Sequence, residues 1–426
     1  MENLTRQINT ILSKELQALI YFLGRCSQRG SYKIYAVGGF VRDLLLGREN
    51  NDIDLVVDGS AVDFARSVLE IMPGTLRCYE RFGTATLTLP RGTVFDMVTA
   101  RKEFYAAPGA LPTVEQSTLR NDLFRRDFTI NTMACALNPL EFGKFYNFFG
   151  GLKDLREGII RVLYKLSFID DPLRIIRAIR FEQRFGFRIE KESFSLLKKA
   201  IENRAWEKIS KERLYKEVRL VFREPKPSKV LARFAELNMF KNIFPRLTFS
   251  RELKNRLERL EQLLAEILIE KTFTNWSYSV LFLSALFYDL SEHDVRYFCY
   301  LMRLKRKERQ NLLYVWENLP IVLPQLKNRM TGASNLYFLL EKMPEEGLLL
   351  AMVLDPDLLV REGIYYFCKH LLNKKPSITG KDLLKAGLEP GPIYNKILTK
   401  LHEAVLEGKI SGRREEMEFV NMFLKG

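Results

Sequence analysis

The chain has 426 residues, is 47% hydrophobic and 28% charged, and carries a formal net charge of +15 at pH 7. That composition describes a globular protein of two to four domains with a sizeable core, and excludes a disordered or low-complexity chain. Five scattered cysteines with no CxxC pair and three scattered histidines argue against a zinc site and for a reduced, cytoplasmic protein. The first 24 residues show helical periodicity and lack the basic start and small-residue cleavage site of a signal peptide. Between about residues 30 and 100, "KIYAVGG", "DIDLVVDG", "TLRCYERFG", "TATLTLP" and "GTVFDMVTA" read as short strands, rich in β-branched or aromatic residues and broken at Gly or Pro. Residues 60–72, "SAVDFARSVLEIM", read as a capped amphipathic helix between two of them. In "FYAAPGALPTVEQST", residues 104–118, Pro and Gly exclude regular structure, and no basic residue is present. The strand signal fades after residue 158. From residue 170 onward the pattern is almost entirely helical, interrupted by "REPKPSK", "FPRLTFS" and "NKKPSITG". The most apolar run, "WSYSVLFLSALFYDL" at 276–290, falls short of the ~18–20 residues of a membrane span and reads as a buried helix.

The positive charge is unevenly spread. Between Asn203 and Arg259 there are sixteen Lys/Arg against seven Asp/Glu, interleaved with Trp206, Tyr215, Phe222, Phe234, Phe240, Phe244 and Phe249, and "RLKRKER" follows at 303–309. The aromatics read as core. The basic excess points to a polyanionic partner, a nucleic acid.

The chemistry concentrates in "VGGFVRDLLLGRENNDIDLVV". Side chains alternate along a strand, so Asp52 and Asp54 share a face, as two ligands of a hard cation such as Mg²⁺ would. Asp96, in "VFDMV", is a candidate third carboxylate from a neighbouring strand. Upstream, Gly38 and Gly39 let the backbone approach a ligand where a strand passes into a helix, and Arg42 can fork onto a phosphate. A phosphate cradle and a metal pair joined by one helix suit a nucleoside triphosphate with its metals.

These residues resemble the signature of the bacterial tRNA nucleotidyltransferase and poly(A) polymerase family, within the polymerase-β superfamily. Four further stretches match it in order: "DLFRRDFTIN", "FIDDPLRIIRAIRF", "ISKERLYKEV" and "ITGKDLLKAGLEPGPIYNKIL". Asp170 stands where the family usually has glutamate, and "INTMA" replaces the usual INAMA. The resemblance implies an α+β chain. An N-terminal polymerase-β-like α/β head (1–160) would be followed by a helical neck with the nucleotide-selecting helix (161–225), a helical body (226–320) and a tRNA-binding tail (321–426).

The resemblance also implies addition of C and/or A from CTP and ATP to the 3′ end of tRNA, without a template, with two Mg²⁺ ions. Asp52 and Asp54 would meet the metals. Arg126, Asp127 and Asn131 belong to the RRD motif, which meets phosphate and ribose. Asp170, Asp171 and Arg174 form the nucleotide-selecting motif, with Arg177 and Arg180 continuing at three-residue steps toward the phosphates. The selection has a chemical basis. Cytosine and adenine each present an amine donor beside a ring-nitrogen acceptor, whereas uracil and guanine present a carbonyl beside a ring N–H. A carboxylate accepts and a guanidinium donates, so Asp171 and Arg174 together would accept C and A and reject U and G. Glu212, Arg213 and Glu217 read as bracing residues. Whether the chain adds CCA, CC or A alone stays open. So do a poly(A) polymerase and, from another class, an inactive RNA-binding protein on the same scaffold.

Overall fold

The computed structural model describes residues 3–107, 109–110, 112–327 and 332–425, and the chain divides into two compact units, Met1–Glu217 and Val218–Gly426.

The first unit opens with two helices, α1 (Thr5–Ile11) and α2 (Lys14–Cys26), separated where the Ser13 hydroxyl caps the second. The strands β1 (Lys33–Val37), β2 (Ile53–Asp58), β3 (Thr75–Tyr79), β4 (Thr84–Thr88) and β5 (Val94–Thr99) match the five predicted segments. With β8 (Met133–Ala136) and β9 (Phe145–Asn147) they form one mixed sheet in the order β3-β4-β5-β2-β1-β8-β9. Only β2 and β5 run parallel, and their register sets Asp54 beside Asp96. Helix α3 (Gly39–Leu45) joins β1 to β2, and α4 (Ala61–Leu69), capped by the Ser60 hydroxyl on Asp63 N–H, packs against β2, β4 and β5.

The alternation of β2 decides where its aspartate points. Leu55 and Val57 are fully buried on one face, while Val56 and Asp54 lie on the other. Val56 packs there with Tyr35, Val37, Leu119 and Leu123. The last two belong to α5 (Leu119–Phe124). Burying such side chains stabilises by about 1.5–3 kcal/mol each, and it seats the C-terminal end of α5 on the face that carries Asp54.

Two predictions fail here. Residues 104–118 are not wholly irregular: β6 (Arg101–Phe104) and β7 (Thr113–Gln116) pair as an antiparallel ribbon. The Pro- and Gly-rich part is confined to the turn, of which Pro108 and Leu111 lie outside the described residues. Strand structure also continues past residue 158, where β10 (Ile159–Ile160) pairs in parallel with β11 (Arg188–Ile189). Two residues each are too short to leave a periodicity. Just upstream of β10 lies α6 (Gly151–Glu157), and between β10 and β11 lie α7 (Ser167–Asp170) and α8 (Leu173–Phe185). After β11 come α9 (Lys191–Glu202) and α10 (Lys211–Val221).

The second unit is helical throughout its described residues. Its helix Tyr278–Phe287 is the apolar run of the sequence, with nine of its ten residues buried, Ser279 to Phe287. Phe222, Phe234, Phe240 and Phe244 are buried, as are Trp206 and Tyr215 of the first unit. The interleaved aromatics are therefore core, and only the basic residues between them remain to meet a polyanion. Near the C-terminus, Ile378, Leu383, Ile397, Leu401, Val405 and Val420 form a separate core, and Thr379 caps Gly380–Lys385 in a capping box with Asp382.

Candidate active site

A cavity of about 520 Å³ opens in the first unit over the α5 face of the sheet. The sheet contributes Asp54, Thr86, Asp96 and Val98; the β6–β7 ribbon contributes Arg101, Glu103 and Tyr105; and α5 leads into Arg125, Arg126 and Asp127. Asp171, Arg174, Arg177 and Arg213 close the remaining side.

The carboxylates come together as the strand register requires. Asp54 and Asp96 are Cα partners across β2 and β5, and Thr86 on β4 donates to Asp96 Oδ1 at 2.6 Å. Asp52 lies just before β2, exposed, its N–H held by Asn50 Oδ1 at 2.9 Å. Burial raises the pKa of Asp54; Arg126 opposes this, while the charges of Asp52 and Asp96 add to it. Among the described residues no three His, Cys, Asp or Glu side chains are gathered closely enough to hold a metal ion unaided.

Gly38 explains the first glycine of the motif. Its φ is +69°, and a Cβ there would stand 2.5 Å from Arg126 Nη1 and 3.4 Å from Asp54 Oδ2. The backbone turns where Arg126 and Asp54 approach, and a side chain has no room. Gly39 lies in open contact with Arg42.

The arginines of the cavity are incompletely satisfied. Arg126 Nη2 reaches Asp122 at 3.3 Å, but its Nε is buried without a partner. Arg177 Nη2 stands 2.8 Å from Asp127 Oδ2 as an ion pair, without hydrogen-bond alignment, and Arg177 Nε is likewise orphaned. Asp127 also accepts from Phe128 N–H and Asn131 Nδ2, both at 2.9 Å. Burial works to raise its pKa, but Arg177 and the bond from Asn131 outweigh this and hold the carboxyl below the ordinary range. Buried polar groups are normally paired, and these two Nε–H groups, on residues that line the cavity, have no partner.

Base-side geometry differs from the predicted helix. Asp171 is not in α8: it sits before Pro172 with φ −131° and ψ 91°, and α8 starts at Leu173. A residue preceding proline is driven out of the α region. Asp171 Oδ1 accepts from Arg213 Nη2 at 2.9 Å, and Arg213 Nη1 donates to the carbonyl of Gly109 at 2.8 Å. Arg213 is thus both the brace predicted from its motif and part of the cavity wall. Glu217 braces too, accepting from Arg180 Nη1 at 3.2 Å.

Seven predicted residues lie off the cavity lining: Gly38, Gly39, Arg42, Asp52, Asn131, Asp170 and Arg180. Arg42 does not reach toward a phosphate. Its Nε and Nη2 clamp Asp43 at 2.9 and 3.0 Å, its Nη1 donates to Asn131 at 2.7 Å, and the rings of Phe181 and Phe185 flank it at 5.3 and 4.7 Å. Asn131 is buried between Arg42 and Asp127. Arg180 is buried against Glu217, and Asp170 ends α7. Conversely, Arg101, Glu103, Tyr105 and Arg125 line the cavity and had not been singled out. Glu103 gathers the other three, accepting from Arg101 Nη2 at 3.0 Å, Arg125 Nη1 at 2.8 Å and the Tyr105 hydroxyl at 3.1 Å. The only sequence signal for any of them was the first arginine of "RRD".

Comparisons with known proteins agree with this architecture. The family model "Poly A polymerase head domain" matches residues 34–161, and a model of tRNA nucleotidyltransferase domain 2 matches residues 372–420. The chain is 36% identical over 419 residues to an A-adding tRNA nucleotidyltransferase of Geobacter sulfurreducens, covering 96% of this chain and 47% of that protein. It thus spans about half the length of that relative. A second A-adding tRNA nucleotidyltransferase, of Halalkalibacterium halodurans, is 32% identical over 430 residues, covering 99% of this chain and 96% of the relative. Among solved structures, the Thermotoga maritima CCA-adding enzyme complexed with tRNA superposes with a TM-score of 0.70 at 32% identity, covering 99% of each chain.

Proposed function

The chain belongs to the tRNA nucleotidyltransferase and poly(A) polymerase family, and on that premise we propose that it adds nucleotides to the 3′ end of tRNA from ATP or CTP without a template, with the terminal A as its favoured product. The choice of A is supported by the A-adding relatives. The observation that carries the reading is one cavity lined by the carboxylates of Asp54 and Asp96 and by Arg126 and Arg177. Carboxylates for cations and free guanidinium donors for phosphates are what a metal-bound triphosphate needs.

Two Mg²⁺ ions fit the donor set. Mg²⁺ takes one or two carboxylates and completes its shell with substrate phosphates and water, and Asp54, crowded by two like charges, would be relieved by a cation. Asp52, Asp54 and Asp96 would hold the ions. Bound there, they would lower the pKa of the attacking 3′-hydroxyl and neutralise the triphosphate. Arg126 and Arg177 orient the triphosphate, and Asp127 holds Arg177 in place. Asp171 accepts the exocyclic amine of A or C while Arg174 donates to the ring nitrogen. A mismatched base presents a carbonyl to the Asp171 acceptor and a ring N–H to the Arg174 donor, which discriminates strongly. Arg42 and Asn131 support the site from behind. With this reading go the division into head, neck, body and tail at 1–160, 161–225, 226–320 and 321–426, and a cytoplasmic location. No described helix is long and apolar enough to cross a membrane.

The test is incubation of tRNA transcripts lacking one, two or all three residues of the CCA end with ATP, CTP or both. The reading predicts a single A added to the transcript ending in CC. Addition of C to the shorter transcripts would replace terminal-A addition with CC or CCA synthesis. Long A tails on unrelated RNA would favour a poly(A) polymerase, and no product at all would overturn the enzymatic reading.

A further inference from the structure

Arg174 is buried, and its guanidinium is held from several sides. Nη1 donates to Ser167 Oγ and, at 3.4 Å, to the Tyr164 hydroxyl; Nη2 donates to the Arg125 carbonyl at 2.7 Å. The Tyr164 ring lies against it, 5.7 Å from centroid to Cζ. Ser167, the first residue of α7, is fully buried. A guanidinium is planar, with five N–H groups in a fixed fork. Pinning Nη1 and Nη2 on the protein therefore dictates where the remaining N–H groups point.

We propose that Ser167 and Tyr164 are positioning residues for nucleotide selection, fixing the plane of Arg174 so that its remaining donors meet the ring nitrogen of the incoming base. The inference rests on the reading of Arg174 as a base reader and extends it to two residues that line no part of the cavity. Without the Ser167 hydroxyl, Nη1 loses an acceptor in a buried place and the guanidinium rotates to find another. A rotated fork no longer distinguishes a ring-nitrogen acceptor from a ring N–H, so selectivity falls further than rate.

The test measures kcat/KM for ATP and for GTP on tRNA ending in CC. In Ser167→Ala the ATP-to-GTP ratio falls about tenfold, the scale of one bond to a charged group, and in Tyr164→Phe it falls a few-fold, because the longer bond is weaker. Ser167→Thr, which keeps the hydroxyl, restores the ratio. In an Arg174→Ala background, Ser167→Ala leaves the ratio unchanged within about twofold, since residues acting through one group are not additive. Equal losses for both nucleotides, or a full further effect in the Arg174→Ala background, would overturn the proposal. If Ser167→Ala melts early, Ser167→Thr and Tyr164→Phe decide it. An Arg174→Ala enzyme that still discriminates would sink the base-reading model itself and this inference with it; discrimination lost in Arg174→Ala but intact in Ser167→Ala and Tyr164→Phe would sink the inference alone.

Discussion

Arg42 and Arg126 both belong to motifs that read as phosphate-binding, and the structure surrounds them in opposite ways. Arg42 is clamped on Asp43, bonded to Asn131 and flanked by two phenylalanine rings. Arg126, a residue of the cavity lining, keeps one 3.3 Å contact to Asp122 and a buried Nε with no partner. Arg177 resembles Arg126 in this respect. Residue type and motif membership do not separate the two cases, but hydrogen-bond satisfaction does. Arg42, its guanidinium taken up inside the protein, holds the fold, whereas Arg126 keeps donors over.

The sharpest way to break that distinction is Arg42→Ala. It strands the Asp43 carboxylate in a buried site, and removing one partner of a buried ion pair destabilises by about 3–5 kcal/mol. Denaturant unfolding should reveal the loss, while the folded fraction keeps its KM for ATP. A stable Arg42→Ala protein with poor ATP affinity would return Arg42 to the phosphates. Arg174→Ala comes next. Loss of a bond to a charged donor should lower ATP use by about ten- to a hundredfold, at about 1.5–3 kcal/mol, and GTP use much less, as measured by kcat/KM. An equal fall for both would remove base reading from this residue. Arg126→Ala should weaken ATP binding by about tenfold with a much smaller change in unfolding free energy than Arg42→Ala, because Asp122 keeps its bonds to Arg125.

Much of the head was legible because its signals are local. Strand alternation singled out Asp54, although its expected strand partner Asp52 lies just before β2, and Ser60 announced its helix. The carboxylates were singled out because the glycines and arginine just upstream gave the DxD a phosphate-binding context. What escaped depends on contacts far apart in sequence. Arg42 joins Asn131 across 89 residues, and Arg213 joins Asp171 across 42. No spacing rule shows whether an arginine will find such a partner. Glu103 escaped for a similar reason: the Pro and Gly of residues 104–118 concealed a ribbon whose pairing is non-local.

The smallest predicted effect concerns Asp54, whose pKa is raised by burial and then by Asp52 and Asp96, against the pull of Arg126. A folded-state pKa above the unfolded value means that the native state binds the proton more tightly, so stability falls as pH rises between the two values. With EDTA present, Asp54→Asn should therefore melt slightly higher than the native chain at neutral pH. The advantage should vanish below the ordinary carboxylate range, where both states of the native protein are protonated. An Asp54→Asn protein that melts lower at neutral pH would mean that the carboxylate is stabilised by its surroundings.

The most direct measurement is ATP incorporation into tRNA ending in CC by Asp54→Ala at saturating Mg²⁺, with tRNA affinity measured on the same preparation. Asp54 lies in the first unit, whereas many of the excess basic residues lie beyond residue 217. The account predicts no detectable A addition, with tRNA affinity within a few-fold of the native chain. Normal incorporation by this variant would contradict the assignment of the carboxylate face of the sheet as the catalytic centre.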